Sequence, residues 1–289
     1  MKEKDIEKLP HFEEVNKMYT ISEAIEEAKR CLHCKVPQCK KGCPIGNDIP
    51  EFIHQLSMGN MGQAMSILHE KTNLPAICGR VCPHEKQCEG HCILGKKGRP
   101  VRVGKLESFI AQFDADMHLT HERLPEKTRG KVAIIGSGPA GLTVAGDLAR
   151  QGFHVTILEG QAELGGVLMY GIPEYRLPKA VVRNEIEKIE ALGVHFVKNC
   201  LVGSPESGVT IDSLFADGFD AIFMATGTAL PQGLNIPGAN LKRVTQSTDF
   251  LHNVNAYIEG AIAREMVPLR EGDKVAVIGG GNVAMDAAR

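Results

Sequence analysis

The stretch from Lys131 to Glu159, KVAIIGSGPAGLTVAGDLARQGFHVTILE, decides the fold of this chain. Its apolar run, Val132 to Ile135, is too short for a helix and predicts a buried parallel strand. The strand leads into a GxGxxG turn, a helix predicted over Pro139 to Gln151 and a second strand over Phe153 to Leu158. This order, closed by an acidic residue, predicts a dinucleotide-binding βαβ unit rather than an ordinary glycine-rich turn.

The residues of the turn have separate roles in this prediction. Gly136 allows the tight turn, Gly138 lets the backbone approach a pyrophosphate, and Gly141 lets the helix pack closely on the sheet. The phosphates would lie at the helix N-terminus, and Glu159 would accept a hydrogen bond from a ribose hydroxyl. The candidate site therefore comprises Gly136, Ser137, Gly138, Pro139, Ala140, Gly141 and Glu159.

Length and charge narrow the class of protein. The 289 residues are enough for about two domains. A formal net charge of -2 gives no electrostatic reason to expect nucleic-acid binding. No apolar run reaches the roughly 18 residues of a membrane span, and the charged start MKEKDIEKLPHFEE lacks the apolar core of a signal peptide. We therefore expect a cytoplasmic protein that binds neither membrane nor nucleic acid.

Eight of the nine cysteines fall into two groups of four. The sequences CLHCKVPQCKKGCP and CGRVCPHEKQCEGHC contain Cys31, Cys34, Cys39 and Cys43 in the first group, and Cys78, Cys82, Cys88 and Cys92 in the second. In a reducing compartment such clustering favours metal ligation over disulfides. Two groups of four thiols predict two metal sites.

The spacing indicates which metal the thiols bind. The pattern CxxCx4CxxxCP is close to the ferredoxin run, in which the Cys before Pro ligates a different cluster from its neighbours. Zinc ribbons usually pair two CxxC sequences across a longer gap, so two [4Fe-4S] clusters are favoured over zinc and over buried free thiols. Because thiols suffice as ligands, His33, His84 and His91 are interpreted as neighbours of the sites.

The remaining N-terminal sequence predicts helices. Thr20 and Glu23 can form a capping box, and Asn60 is a plausible N-cap. Residues 1–19 are expected to form an arm lying on another part of the protein, and residues 121–130 a linker. The predicted helices begin near Ile21 and extend over Pro50 to Ser57, Asn60 to Lys71, and Val103 to Met117.

Two further glycine-bearing turns follow Glu159. Gly165 and Gly166 form a paired-glycine turn before a loop punctuated by prolines, a helix over Lys179 to Leu192 and a strand over Val194 to Val197. A run from Asp220 predicts another buried strand that ends at Thr226 and Gly227. Such a turn at the carboxyl end of a strand brings backbone near a ligand.

A second fingerprint, GxGxxA, lies near the C-terminus. Lys274 to Ile278 predicts a short strand, which runs into a glycine turn and a helix. Two fingerprints on one chain suggest an internal flavin and an external nicotinamide. The candidate nicotinamide site comprises Gly279, Gly281, Asn282 and Val283.

The fold class expected from these patterns is α/β. An N-terminal all-α iron–sulfur domain (1–125) precedes a Rossmann-type FAD-binding domain (131–260) and the start of a second, truncated Rossmann-type NAD(P)-binding domain (270–289). A βαβ unit needs about 30 residues, more than remain after Lys274.

The combination of motifs resembles a known family. The cysteine groups together with GSGPAG, GIPEYRLPK, ATG and GGGNVAMDAAR resemble the small (beta) subunit of NADPH-dependent glutamate synthase. The same module is similar to the N-terminal part of dihydropyrimidine dehydrogenase and to the larger subunit of electron-bifurcating transhydrogenases. The resemblance implies an oxidoreductase with FAD, two [4Fe-4S] clusters and NADPH or NADH. Its partner would be the glutamate synthase large subunit or another electron acceptor protein. The resemblance further implies that the C-terminal return segment of the FAD domain is missing here, so these residues alone are expected to bind FAD weakly and oxidise NADPH poorly.

The resemblance also implies how the clusters are ligated. In the family the two cysteine groups interleave, and the second cluster takes a Glu or Gln ligand, which matches Glu107 here. Cys78 is then a spare thiol, and no side chain is expected to act as acid, base or nucleophile. The implied ligand sets are Cys31, Cys34, Cys39 and Cys92 for one cluster, and Cys43, Cys82, Cys88 and Glu107 for the other.

Three other functions stay open at this stage. The chain could be a subunit of a bifurcating NADPH/ferredoxin transhydrogenase, which its partner would reveal. It could be a non-catalytic electron-relay fragment, which would contain iron but no flavin. It could also be a zinc-stabilised nucleotide-binding protein, which would lack acid-labile sulfide.

Overall fold

The computed structural model describes residues 13–120, 124–228 and 233–289. Residues 1–12 of the predicted arm and 121–123 of the predicted linker lie outside the described residues. A helical part comes first in the chain, and an α/β part follows it. The helices of the first part are α1 (Ile21–Lys29), α2 (Gln38–Gly42), α3 (Ile49–Ser57), α4 (Met61–His69), α5 (Pro75–Val81), a 3-10 turn (Ile93–Lys96) and α6 (Val103–Met117).

Local capping explains where α1 begins but not where α4 begins. The predicted capping box of α1 is confirmed, since Glu23 N donates to Thr20 Oγ1 at 3.3 Å and Thr20 N donates to Glu23 Oε2 at 2.8 Å. Asn60 precedes α4 as predicted but does not cap it. Its side-chain amide instead donates to Gln55 Oε1 at 3.0 Å, because the preceding turn brings that acceptor closer.

The helical part has its own apolar core. Side chains of α3, α4 and α6 meet there, and each large side chain buried in this way contributes about 1.5–3 kcal/mol. Cys31, Cys39, Cys43 and Cys92 pack against this core, and Cys88 is part of it. The most buried large residues are Phe52, Ile53, Leu56, Met65, Leu68, Leu106 and Ile110.

The α/β part alternates strands and helices. Most boundaries agree with the sequence prediction to within one or two residues, as expected for frayed helix ends. Its elements are β1 (Lys131–Ile135), α7 (Pro139–Arg150), β2 (His154–Leu158), α8 (Val167–Tyr170), α9 (Lys179–Ala191), β3 (Val194–Val197), α10 (Ile211–Ala216), β4 (Ala221–Met224), α11 (Ser247–Ile258), a 3-10 turn (Arg264–Met266) and α12 (Asn282–Ala288).

The four strands form one parallel sheet in the order β3-β2-β1-β4. Ile135 lies opposite Leu158 on one side and Met224 on the other, so β1, β2 and β4 end at the same edge. Ligands of open α/β sheets bind at this carboxyl edge. The predicted fold class, a helical domain followed by a Rossmann-type α/β domain, is confirmed.

β4 exists as predicted, but the prediction that it is buried is wrong. Among the described strands β4 pairs only with β1, so it forms an edge of the sheet. Phe223 is 37% exposed and Met224 is 62% exposed. An apolar run indicates that a strand is suited to burial, but burial also requires neighbours on both faces.

The predicted strand from Lys274 to Ile278 is absent. Within residues 13–120, 124–228 and 233–289 no strand pairs with this segment. Val275 is 58% exposed and Ile278 is 70% exposed. A strand needs a neighbour for its backbone hydrogen bonds, and the described sheet offers none here. The helix predicted after the glycines is present as α12.

The two parts of the chain are in direct contact. Asn73, which precedes α5, donates to Thr143 O at 2.9 Å and to Asp147 Oδ1 at 2.8 Å, both in α7. The arm also touches both parts: Glu14 pairs with Arg80 at 3.0 Å, and Val15 N donates to the main chain of the GIPEYRLPK loop. No helix of the described residues is long and apolar enough to cross a membrane.

Candidate functional site

The glycine turn after β1 has the geometry that its three glycines predict. Gly136 has φ +104°, and a Cβ there would lie 2.4 Å from Ala225 O. A Cβ on Gly141 would lie 2.0 Å from Gly136 O, so α7 packs directly on the turn. A Cβ on Gly138 would meet no atom within 4 Å. The backbone at Gly138 is therefore open to a ligand, at the N-terminus of α7.

Glu159 is buried and binds the turn itself. Its Oε2 accepts hydrogen bonds from Ser137 N at 2.9 Å and Ser137 Oγ at 2.5 Å. Its Oε1 accepts one from Gln161 N at 2.8 Å. An ionised carboxylate offers about four acceptor positions, so one remains for the predicted ribose hydroxyl. The hydrogen bonds to Ser137 were missed by sequence reasoning, which gave this acid only a ligand role.

The paired-glycine loop lies against the same turn. Ser137 Oγ accepts a hydrogen bond from Gly165 N at 2.9 Å. A Cβ on Gly166 would lie 3.0 Å from Gly138 Cα. Three segments predicted to contact a dinucleotide therefore come together around Gly138. Their backbone cradle, which a side chain at Gly138 would enter, fits the pyrophosphate of FAD.

The turn that follows β4 reaches this edge of the sheet. Ala225 N donates to Ile135 O at 2.8 Å, so Ala225 lies beside the end of β1. Thr226 and Gly227 directly follow Ala225, the residue that approaches Gly136. Both residues are exposed, and Gly227 has φ +73°. The predicted ATG turn therefore adjoins the glycine turn.

Four thiols from distant parts of the sequence form one group. Burial raises the pKa of Cys31, and the charges of Cys34 and Cys92 raise it further. Burial likewise raises the pKa of Cys39 to about 11, with contributions from the other three thiols. Cys92 thus lies with the first cysteine group, although it is the last cysteine of the second. The donor set, four soft thiols, fits an iron–sulfur cluster.

The other thiols surround Glu107. Burial, followed by the charge of Glu107, raises the pKa of Cys88 to about 12, and Cys43 also contributes. The pKa of Cys78 is raised, first by its hydrogen bond with Cys82 and then by burial. Cys78, the thiol expected to be spare, therefore lies inside this second group.

Glu107 is the most unusual acid of the site. It is 6% exposed, and burial, followed by the charges of Cys78 and Glu185, raises its pKa well above the ordinary value. It makes no hydrogen bond or ion pair with the residues that the structure describes. A buried carboxylate without a partner is costly, and a metal ligand role would offset that cost. Three thiols and this carboxylate fit the second predicted cluster.

The three histidines of the cysteine groups have other partners. His33 packs edge-on against His54, with ring centroids 4.7 Å apart. His84 Nε2 lies 3.1 Å from Cys78 O, and His91 Nδ1 lies 2.6 Å from Gln87 O. Within the described ranges, no group of three or more His, Cys, Asp or Glu side chains is close enough to hold a single metal ion.

The second fingerprint is anchored by the GIPEYRLPK loop. Tyr175 donates from its hydroxyl to Asp286 O at 3.0 Å, and Arg176 pairs with the Asp286 carboxylate at 2.5 Å. The turn before α12 is itself exposed: Gly279 has φ +132°, and Gly281 is the N-cap residue. Sequence reasoning missed the pairing of Arg176 with Asp286, although it had singled out the loop.

A polar cavity connects this fingerprint to the second thiol group. Its volume is about 260 Å³. It is lined by residues of both parts of the chain, including Arg80, Cys82, Arg176, Asn282 and Asp286. Asn282 is one of the predicted nicotinamide-site residues, and Val283 beside it is 46% exposed.

Comparisons with known proteins agree with this division of the chain. Residues 8–119 match the family described as dihydropyrimidine dehydrogenase domain II, 4Fe-4S cluster. Residues 130–289 match the family described as pyridine nucleotide-disulphide oxidoreductase. The first match implies an iron–sulfur cluster, and the second implies a flavin and a nicotinamide nucleotide.

Individual relatives extend over nearly the whole chain. The glutamate synthase [NADPH] small chain of Halomonas elongata is 35% identical over 280 residues, which cover 96% of this chain and 58% of that protein. The NAD-dependent dihydropyrimidine dehydrogenase subunit PreT of Salmonella typhimurium is 36% identical over 278 residues, covering 96% of this chain and 64% of that protein.

Among solved structures, FprA from Mycobacterium tuberculosis is 28% identical, with a TM-score of 0.46, covering 56% of this chain and 36% of that one. The chain spans less than two thirds of the length of the two curated relatives named above. The expected resemblance to glutamate synthase small chains is confirmed. The pyridine nucleotide-disulphide oxidoreductase family matches residues 130–289, which are more than half of the chain, and the chain therefore belongs to that family.

Proposed function

We propose that this chain belongs to an NAD(P)H oxidoreductase that passes electrons from NADPH through FAD and two [4Fe-4S] clusters to a partner protein. One observation carries the proposal. Asn73 directly precedes the turn into α5, the helix that contains Cys78 and ends just before Cys82. The side chain of Asn73 donates hydrogen bonds to α7, the helix that begins at the open glycine turn. The flavin site and the second thiol group are therefore parts of one packed unit.

The cofactors supply the chemistry and the chain holds them. FAD, when bound, takes a hydride from a nicotinamide and can release single electrons, which iron–sulfur clusters accept one at a time. Gly138, Ala140 and Gly141 offer backbone N–H groups at the N-terminus of α7 to the pyrophosphate. Glu159 fixes the turn through Ser137 and keeps one acceptor position for the ribose.

We assign the cluster ligands as the resemblance implies. Cys31, Cys34, Cys39 and Cys92 hold one cluster, and Cys43, Cys82, Cys88 and Glu107 hold the other. The proximity of Cys92 to Cys31 and of Cys43 to Cys88 supports this assignment. The proposed organisation is a cluster domain at 1–125, an FAD domain at 131–260 and an NAD(P) region from 270, in a cytoplasmic protein whose thiols stay reduced.

We propose the glutamate synthase large subunit as the electron-accepting partner. The similarity to a glutamate synthase [NADPH] small chain supports this choice and would place the protein in glutamate biosynthesis. A second candidate is delivery of electrons to another acceptor, which is favoured by the comparable identity to a dihydropyrimidine dehydrogenase subunit. Affinity purification of the full-length protein from its own cells distinguishes them by the partner recovered.

Cofactor analysis of the full-length protein, purified without oxygen, tests the proposal. We expect about eight irons, about eight sulfides and about one FAD per chain. Gly138→Val should lose FAD and keep iron, because its side chain enters the open space at the turn, whereas Gly62→Ala should keep both. Zinc without sulfide would exclude the clusters, and iron without flavin would favour an electron relay.

A further inference from the structure

Positive charge is concentrated in the two segments that carry the first thiol group. Residues 31–47 and 90–106 contain no Asp or Glu, although the whole chain has a net charge of -2. These segments contain eight cations: Lys35, Lys40, Lys41, Lys96, Lys97, Arg99, Arg102 and Lys105. Such a local excess of one sign raises a potential that attracts opposite charge.

The structure joins the two segments into one surface. A Cβ on Gly42 would lie 2.5 Å from His91 Nδ1, so their chains touch. The guanidinium of Arg30, at the end of α1, donates to Arg99 O at 2.5 Å and to Pro100 O at 3.1 Å. The same two segments contain Cys31, Cys34, Cys39 and Cys92, the first thiol group, and also Cys43.

Four of the eight cations are already occupied. Lys40, Arg99 and Arg102 pair with acids at 2.9–3.3 Å, and Lys105 lies over the ring of Tyr19. The other four side chains are exposed and make no ion pair within residues 13–120, 124–228 and 233–289. These uncompensated residues are Lys35, Lys41, Lys96 and Lys97.

The same two segments also carry exposed apolar side chains. Leu32 is 58% exposed, Val36 56%, Ile45 46% and Ile93 40%. Leu32 lies within the first CxxC, and Ile93 follows Cys92 directly. Apolar residues surrounded by a charged, solvated rim are typical of a protein–protein interface. Neither segment contains Phe, Tyr or Trp, the residues on which single-stranded nucleic acids stack.

We propose that this surface docks the acidic face of an electron-accepting protein and brings it against the first thiol group. We call it the thiol face, defined by Leu32, Lys35, Val36, Lys41, Ile45, Ile93, Lys96 and Lys97. The inference rests on the proposed function and adds the place where electrons leave. The step makes and breaks no bond: the acceptor gains one electron, and the centre held by this chain loses one.

Binding of two probe proteins tests the thiol face without any turnover. The full-length protein is titrated with an acidic flavodoxin and, in parallel, with basic cytochrome c by isothermal calorimetry at low and high salt. The test variant is Lys41→Glu/Lys96→Glu. The matched control is Lys71→Glu/Lys242→Glu, which changes the net charge equally at exposed lysines outside the face.

We expect the test variant to weaken flavodoxin binding about tenfold, because rim charges set the attraction between complementary faces. The control should stay within about twofold of the wild type, and added salt should weaken wild-type binding. Equal loss in both variants, no loss in the test variant, or tighter wild-type binding of cytochrome c or of a single-stranded oligonucleotide would overturn the inference.

Flavin bleaching by NADPH separates this inference from the proposed function. Both double variants should bleach as fast as the wild type, since none of their lysines lies at the flavin site. Slower reduction of flavodoxin in the test variant alone would locate the defect at docking. If NADPH bleached the flavin in none of the proteins, the proposed function would be refuted. The calorimetric titrations would still test the thiol face, because they need no electron transfer.

Discussion

Ser137 links three segments of the proposed flavin site through a single hydroxyl. Its Oγ donates to Glu159 and accepts from Gly165 N. For Ser137→Ala we expect a loss of about 1–2 kcal/mol in the free energy of unfolding, because a buried N–H and a buried carboxylate both lose a partner. FAD should also dissociate more readily. Urea denaturation against Ser66→Ala, whose hydroxyl is exposed, checks this, and equal effects would contradict it.

Lys179 is a buried amine of the GIPEYRLPK loop that sequence reasoning left without a role. It is 3% exposed and donates to the carbonyls of Leu168 and Ile172. Burial lowers its pKa from 10.5 to about 8. Because the folded state prefers the neutral amine, the contribution of Lys179 to stability is present above about pH 10.5 and lost as the pH falls to about 8.

Lys179→Met removes this titration. We expect the free energy of unfolding of the wild type, relative to the variant, to increase by about 3 kcal/mol between pH 7.5 and pH 10.5. Urea denaturation at several pH values measures the difference, and exposed Lys71→Met is the control. A difference that does not change with pH would show that the amine titrates normally.

Cys78 and Cys82 provide a direct comparison between a spare thiol and a ligand. Interaction with Cys82 raises the pKa of Cys78, so the two thiols are neighbours and position alone does not separate their roles. We expect Cys78→Ser to keep about eight irons per chain and Cys82→Ser to lose about four. Iron and sulfide analysis measures both variants. Iron loss in Cys78→Ser would contradict the interleaved ligand assignment.

At the scale of elements, the sequence predicted what local pattern and turn chemistry determine. The prediction of β1, α7 and β2 is confirmed because its evidence is local: the apolar pattern, the glycines and the closing acid all lie within 29 residues. The burial of β4 and the strand pairing of residues 274–278 depend on residues that are distant in the sequence. The local pattern of apolar residues does not reveal those neighbours. Spacing alone puts Cys92 in the second cysteine group, whereas the structure brings its thiol close enough to Cys31 to raise the pKa of Cys31.

The contact between α9 and α5 depends on one buried acid. Glu185 is 0% exposed and accepts hydrogen bonds from Ala76 N at 3.2 Å and Lys188 Nζ at 3.2 Å. We expect Glu185→Ala to cost about 2–4 kcal/mol, because a buried N–H and a partly buried ammonium lose their acceptor. Glu185→Gln keeps an acceptor and should cost less. Thermal denaturation compares them, and equal losses would indicate a packing effect alone.

At the scale of the whole molecule, the helical and α/β parts pack through polar contacts of Asn73 and Glu185 and through apolar contacts of Leu74 and Ile77. These residues form the boundary between the proposed flavin and cluster sites. The excess positive charge is carried by the segments that contain the first thiol group, whereas Cys82 of the second thiol group adjoins this boundary. This arrangement agrees with the proposed order of nicotinamide, flavin, clusters and acceptor.

An anaerobic NADPH titration of the full-length protein, followed by its optical spectrum, tests the central claim most directly. The account predicts that NADPH bleaches the flavin band and then the broader cluster absorbance, because both cofactors belong to one electron path. In Gly138→Val, which lacks bound FAD, the clusters should stay oxidised with NADPH but be reduced by dithionite. Bleaching of the clusters without flavin, or of neither band in the wild type, would contradict the account.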